Sequence, residues 1–280
     1  MRKGKIALVV LVFTLGGVFA ALCLKVERYK RLKLIVKAPS TFSEVERVDC
    51  NSVKPVIYRR VPCLAKLPAK KRKRIFIDIL LPSILVKNYR IELLRERIVK
   101  LKKKLDSGKR LSEEEQRFLK ELSRKYRATT VEELLYKIAP IPAGLAIAQA
   151  AIESGWGSSR FFCEANNLFG EWSFSKRGVK AKKAEVYLKK FSSILEAVDS
   201  YYYNLNAGWA YEGFRLARKR NPESLHLVKY LEKYSTLGEE YIGRLEKIIR
   251  ENHLDSYDHC RIDPRYIDTE WHLSFRCSLR

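Results

Sequence analysis

The sequence predicts an α+β fold that is mainly α-helical, on three observations. Apolar residues recur at helical spacing from Ile75 onward, and the pairs Ser112/Glu115 and Thr130/Glu133 have the spacing of helix-opening capping boxes. Between Asn167 and Leu188 the helical period fails, and Leu168, Phe169, Trp172, Phe174, Val179, Val186 and Tyr187 surround a Lys176-Arg177-Gly178 turn. That pattern reads as a small β-element inserted into a helical domain.

The elements follow in chain order. Arg2, Lys3 and Lys5 precede an uncharged run from Ile6 to Leu24, the layout of an export signal. Val18-Phe19-Ala20 offers small residues for cleavage after Ala20, and an uncleaved run of this length also just spans a bilayer as a helical anchor. Residues 1–24 are therefore expected to be a signal peptide or membrane anchor. Residues 25–74 hold sixteen Lys/Arg, four Asp/Glu and four prolines, ending in Lys70-Lys71-Arg72-Lys73-Arg74. They are expected to form a basic, extended stalk facing an anionic membrane.

The helical domain is expected over 75–259. Ile84, Leu85, Leu93, Leu94, Ile98, Leu101 and Leu105 mark a long amphipathic helix or helix pair, stopped by Asp106-Ser107-Gly108. Ser112 opens the next helix and Thr130 another. Pro140 and Pro142 break the chain before a small-residue helix from Ala143 to Ser154. Asn221-Pro222 starts a further helix, and a last one carries Tyr241, Ile242, Leu245, Ile248 and Ile249 on one face. Residues 260–280 form a C-terminal tail.

The formal net charge is +24, which points to nucleic acid, an anionic membrane or an acidic polymer. An export signal removes the chromosome from reach, and no nucleic-acid motif or aromatic-laced basic face is present, so a nucleic-acid partner is excluded. The remaining partners are phospholipid headgroups and the cell-wall polymer, with the protein in the periplasm or cell envelope. Of six cysteines, Cys50–Cys63 and Cys260–Cys277 are expected as local bridges, with Cys163 left as a buried thiol. The four histidines and the cysteines lack zinc-ligand spacing, so no metal and no cofactor are expected.

The chemistry concentrates in Leu145–Phe174. Glu153 ends a helix of apolar and small residues, with Gly155, Trp156 and Gly157 directly after it. A carboxyl held against apolar groups resists ionisation, and this is how a glutamate becomes a general acid near neutral pH. Asn166 and Asn167 can hydrogen-bond backbone or sugar, and Phe169 and Trp172 can stack on pyranose faces. Tyr201, Tyr202, Tyr203 and Trp209 fit helix core, with some able to line a glycan groove.

The segment Gln149-Ala150-Ala151-Ile152-Glu153-Ser154-Gly155-Trp156-Gly157-Ser158-Ser159, followed by Asn166-Asn167-Leu168-Phe169-Gly170, resembles glycoside hydrolase family 73, the mannosyl-glycoprotein endo-β-N-acetylglucosaminidase-like domain, and within it the bacterial Bax proteins. The resemblance covers roughly Ile75 to His259. It implies a lysozyme-like fold with a small β lobe, cleavage of the β-1,4 bond after N-acetylglucosamine in peptidoglycan glycan strands, and Glu153 as proton donor. It also implies substrate contacts from Trp156, Asn166, Asn167, Phe169, Gly170 and Trp172. Glu185 sits where the family places a glutamate in its β lobe, as the second carboxylate of the reaction. The substrate's own acetamido group is the alternative. Lys233-Tyr234-Ser235-Thr236 followed by Tyr241 resembles the family's tyrosine motif, with Tyr234 orienting the acetamido group or water. Lytic transglycosylases would carry a GLMQ-type segment after the glutamate, and none is present. Muramidase or transglycosylase cleavage of the same polymer, and a non-catalytic wall-binding scaffold, are the rival functions.

Overall fold

Helix α4, Ala143–Ser154, lies where its composition predicts and is the buried axis of the unit Leu34–Asp263. Ala143 to Ala151 are buried on every side, as a helix that is apolar all round but for Gln149 must be. Small side chains let neighbouring elements approach its backbone: α1 (Ala69–Asp106), α9 (Glu239–Glu251) and the 3-10 segment Leu254–His259 pack on it. In this computed structural model residues 9–13, 20–173, 178–180 and 187–279 are described. The architecture is a mainly helical, lysozyme-like α+β domain, as the sequence predicts.

Two units are distinguished. The larger is Leu34–Asp263. It opens with the short parallel pair β3 (Ile35–Lys37) and β4 (Val56–Tyr58). Helix α1 is one 38-residue helix rather than a pair. Its first half, Ile75 to Val86, is buried throughout, and its second half is amphipathic, with Ile91, Ile98 and Leu101 inward and Leu105 exposed. It stops at Asp106-Ser107-Gly108 as predicted. Helix α2 (Glu113–Tyr126) has the capping box: Ser112 Oγ accepts from Glu115 N at 3.3 Å and Glu115 accepts from Ser112 N at 2.8 Å. In α3 (Val131–Lys137), Thr130 Oγ1 accepts from Glu133 N, but the Glu133 carboxylate returns to Thr129 N, one residue earlier than a capping box requires.

Helix α5 (Arg160–Ala165) leads into the β lobe, a three-stranded antiparallel sheet of β5 (Trp172–Ser173), β6 (Val179–Lys180) and β7 (Tyr187–Leu188), with β7 central. Helices α6 (Ile194–Ala207), α7 (Glu212–Arg220) and α8 (Ser224–Leu227) follow. Asn221 does not cap α8. Its Oδ1 accepts from Glu223 N, and the helix begins at Ser224, whose N–H is taken by Asp258.

The stalk expectation is corrected for residues 34–74. Val53, Val56, Tyr58, Val61 and Leu64 are buried, and the run Lys70–Arg74 forms the opening turns of α1. A charge count registers solvent-facing lysines and misses the alternate apolar side chains between them. The cysteine pairing is corrected too: Cys50 bridges Cys260 and Cys63 bridges Cys163. Backbone bonds bring each pair together, Arg261 N to Cys50 O at 3.0 Å and Leu64 N to Gly157 O at 3.3 Å.

The smaller unit comprises residues 1–33 and 264–280. Its described part is an antiparallel sheet of β1 (Val9–Phe13), β2 (Ala20–Leu32) and β8 (Ile267–Leu279). The described residues of the expected export segment are thus strands, not helix, and among the described residues no helix is long and apolar enough to cross a membrane. Cys277 lies on β8 opposite Leu22, in register rather than bonded to Cys260.

Candidate active site

Glu153 and Gln149 lie four residues apart on α4, so they share a face. The polar Gln149 is fully buried in an otherwise apolar helix, and a buried amide must find partners. It accepts from the Tyr201 hydroxyl at Oε1 (2.6 Å) and donates from Nε2 to the Tyr241 hydroxyl (3.1 Å). Tyr241 in turn donates to Glu153 Oε1 at 3.0 Å. The amide behind Tyr241 thus directs its hydroxyl proton to Glu153.

Around the chain stands a stack of rings. Phe169 lies face to face on Tyr201 with centroids 4.0 Å apart, and Tyr234 stacks on Tyr241 at 5.7 Å. Tyr234 also meets Tyr201 edge-on at 6.4 Å and Tyr211 at a tilt at 6.2 Å. Its hydroxyl donates to the Phe169 carbonyl at 3.3 Å, tying the Tyr234 segment to the one that precedes Gly170. Burial drives the Tyr241 and Tyr234 phenols well above their usual range, so both remain protonated donors.

Burial also raises the Glu153 carboxyl above the ordinary glutamate value, opposed by the Tyr241 hydrogen bond, which favours the charged form. Its second oxygen, Oε2, faces Gly170. A methyl group there would sit 3.2 Å from Oε2, and Gly170 adopts φ +67°, a left-handed conformation that suits glycine. One carboxylate oxygen is therefore held by Tyr241, and the other is flanked by bare backbone.

The turn after Glu153 is tight. Gly155, Trp156 and Gly157 all have positive φ, and Ser154 Oγ accepts from Gly157 N while donating to Ala150 O. Gly157 has no room for a side chain: a Cβ would lie 2.7 Å from Leu64 Cδ1. Leu64 adjoins Cys63, so the Cys63–Cys163 bridge braces this turn from outside.

The sequence-predicted site residues divide. Glu153, Phe169, Gly170 and Tyr234 come together. Trp156 does not present its face to a cleft: it is 8 % exposed, edge-on to Phe76 at 5.7 Å and under the Lys73 ammonium at 5.1 Å. Asn166 and Asn167 are buried clamps. Asn166 Nδ2 donates to the Arg59 and Phe191 carbonyls, and Asn167 donates to the Glu171 and Lys189 carbonyls while accepting from Glu171 N. They root the β lobe on the helical body. Trp172 is 61 % exposed on β5, free to meet a ligand. Glu185 lies outside the described residues. Glu171 Oε2 accepts from Lys189 Nζ at 2.8 Å and from Ser200 Oγ, while its Oε1 is buried without a hydrogen-bond partner.

Tyr241 is the direct partner of Glu153, with Gln149 and Tyr201 behind it; sequence reasoning had Tyr241 only as the end of the tyrosine motif and Tyr201 as core or groove lining, and gave Gln149 no role of its own. The signal available was the lone polar Gln149 one turn before Glu153 in an apolar helix. Among the described residues no cluster of His, Cys, Asp and Glu could hold a metal ion.

Residues 130–254 match the model of the glucosaminidase family, described as mannosyl-glycoprotein endo-β-N-acetylglucosaminidase. The chain is similar to Protein bax of Escherichia coli (strain K12), 30 % identical over 207 residues, which cover 69 % of this chain and 74 % of that protein. It is also similar to the exo-glucosaminidase LytG of Bacillus subtilis (strain 168), 25 % identical over 155 residues, 49 % of this chain and 53 % of that one. No solved structure matches it.

Proposed function

This chain belongs to the glucosaminidase family, and from that premise we propose that it is a peptidoglycan hydrolase, an endo-β-N-acetylglucosaminidase that cleaves the β-1,4 bond after N-acetylglucosamine with Glu153 as general acid. The observation that carries the reading is the asymmetry of the Glu153 carboxyl: raised by burial, bound at Oε1 by Tyr241, and flanked at Oε2 by Gly170.

Because Tyr241 donates to Oε1, the acid proton resides on Oε2. There it passes to the glycosidic oxygen of the next sugar as the bond from the anomeric carbon breaks. The carboxylate left behind is stabilised by the Tyr241 hydroxyl. Positive charge at the anomeric carbon is met from the far face by Glu185 or by the substrate's own acetamido oxygen; water then supplies the hydroxyl, and its remaining proton is taken by a carboxylate and restores the acid form of Glu153. Tyr234 backs Tyr241 and holds the Phe169–Gly170 backbone at the distance Oε2 requires. Phe169, with its ring on Tyr201, shapes the wall behind them, and Trp172 offers a face to a sugar.

Two disulfides suit an oxidising compartment outside the cytoplasm, where peptidoglycan lies. The surplus positive charge suits the anionic wall and membrane there. The test is digestion of purified peptidoglycan by the wild type and by Glu153→Gln. Soluble muropeptides from the wild type, and none from a folded variant, support the reading; release by the variant overturns it.

A further inference from the structure

The segment Phe169-Gly170-Glu171 is held from several sides. Phe169 lies on Tyr201 of α6 with ring centroids 4.0 Å apart, and its carbonyl accepts from the Tyr234 hydroxyl at 3.3 Å. The Glu171 backbone is fixed at both polar groups. Its N–H donates to Asn167 Oδ1 at 3.0 Å, and its carbonyl accepts from Asn167 Nδ2 and Lys189 N, each at 2.9 Å. Gly170 lies between these anchors, and the three atoms nearest a Cβ placed there all belong to Glu153, with Oε2 at 3.2 Å.

The Glu171 side chain adds an anchor of its own. Its Oε2 accepts from Ser200 Oγ at 2.5 Å and from Lys189 Nζ at 2.8 Å, and Lys189 Nζ donates to Ser200 Oγ at 3.2 Å. Three elements meet in this triangle: the residue before β5, the residue after β7, and α6. Ser200 directly precedes Tyr201, so Phe169 and Glu171 are bound by consecutive residues of one helix. Hydrogen bonds to a charged group are shorter and stronger than neutral ones, and a knot of them fixes position closely. The carboxylate is only 11 % exposed, and its other oxygen, Oε1, is buried without a hydrogen-bond partner. A buried, unpaired acceptor costs stability. Stability therefore does not account for a carboxylate here; the geometry it imposes on its neighbours does.

We propose that Glu171 is a positioning residue for the hydrolytic reaction: through Ser200 and Lys189 it pins the Gly170 backbone against Glu153 Oε2, the oxygen from which the proton leaves. The inference rests on the reading of Glu153 as general acid and deepens it. Burial raises the Glu153 carboxyl, and among the described residues the titratable groups that act on it are the Tyr241 and Tyr234 phenols, both held protonated. A Gly170 segment freed from α6 lets water reach Oε2. The charged form then gains hydration, and the carboxyl falls toward its ordinary value. The alkaline limb of the pH–rate profile moves to lower pH, opposite in sign to the effect of losing the Tyr241 donor.

The test measures muropeptide release against pH for the full chain and for Ser200→Ala, Ser200→Thr, Glu171→Ala, Glu114→Ala and Glu153→Gln, with urea unfolding of each. Ser200→Ala should lower kcat about threefold and Glu171→Ala about tenfold, with KM within about twofold of the wild type. In both, the alkaline limb should move to lower pH by about half a unit. Ser200→Thr keeps the hydroxyl and should restore both kcat and the limb. Glu114→Ala breaks only the exposed ion pair with Arg97 and should match the wild type. A limb that stays in place in Ser200→Ala and Glu171→Ala, whatever their stability, overturns the positioning role alone. If Glu171→Ala does not fold, the two Ser200 variants decide the matter by the same readout. An active Glu153→Gln, or a wild type that releases nothing, overturns the general-acid reading together with it.

Discussion

The Tyr241 hydroxyl donates to Glu153 Oε1 at 3.0 Å, and its direction is set from behind, because the same oxygen accepts from Gln149 Nε2 at 3.1 Å. The bond favours the Glu153 carboxylate, against the burial that favours the acid. Replacing Tyr241 with Phe removes the stabilising donor, so the carboxyl rises further. The alkaline limb of the pH–rate profile, where the acid is lost, should move to higher pH by about one unit, since a hydrogen bond to a charged group contributes roughly 1.5–3 kcal/mol. The rate should fall about tenfold or more, because the carboxylate formed on proton transfer loses its donor. A limb that stays in place contradicts the assignment.

Gln149→Leu cuts the relay one step back. It strands the buried Tyr201 hydroxyl and frees Tyr241 to rotate away from Glu153. Stability should drop by about 2–3 kcal/mol in urea unfolding. The alkaline limb should shift in the same direction as in Tyr241→Phe. Combined, the two changes should cost less than their sum, as expected for one network.

Gly170→Ala tests the open side of the carboxyl. The methyl would lie 3.2 Å from Oε2, on a backbone at φ +67°. The strain is about 1 kcal/mol in stability, while kcat should fall more than tenfold because the donor oxygen is crowded. A variant with wild-type kcat would remove Oε2 as the proton's position.

What was legible in the sequence was local. The span of α4 follows from Pro142 before it and Gly155 after it, and the Ser112–Glu115 box and the inward face of α9 follow from short-range pattern. The raised acidity range of Glu153 follows from its apolar neighbours. What was not legible was set by distant partners. Both disulfides join cysteines far apart in sequence, Cys50 to Cys260 and Cys63 to Cys163, where nearest-neighbour arithmetic suggested adjacent pairs. Trp156, Asn166 and Asn167 have side-chain chemistry that suits sugar but meet carbonyls and rings of the fold instead, and Trp209, which fits helix core by its sequence, is exposed. The basic stretch before α1 hid Val53, Val56, Tyr58 and Leu64 among its charges.

The Cys63–Cys163 bridge closes a loop spanning 100 positions and braces the turn after Glu153 through Leu64. Cys63→Ser should lower the free energy of unfolding by roughly 2–5 kcal/mol, measured in urea against the wild type. A reductant should lower the wild type's midpoint and leave less effect in a variant lacking both bridges.

The most direct measurement is the chemistry of the new ends. Peptidoglycan digested by the wild type is reduced with borohydride and its muropeptides are examined by tandem mass spectrometry, with Glu153→Gln in parallel. N-acetylglucosaminitol from the wild type and none from the variant is the predicted result; reduced muramic acid or anhydromuramyl ends, or products from the variant, would contradict it.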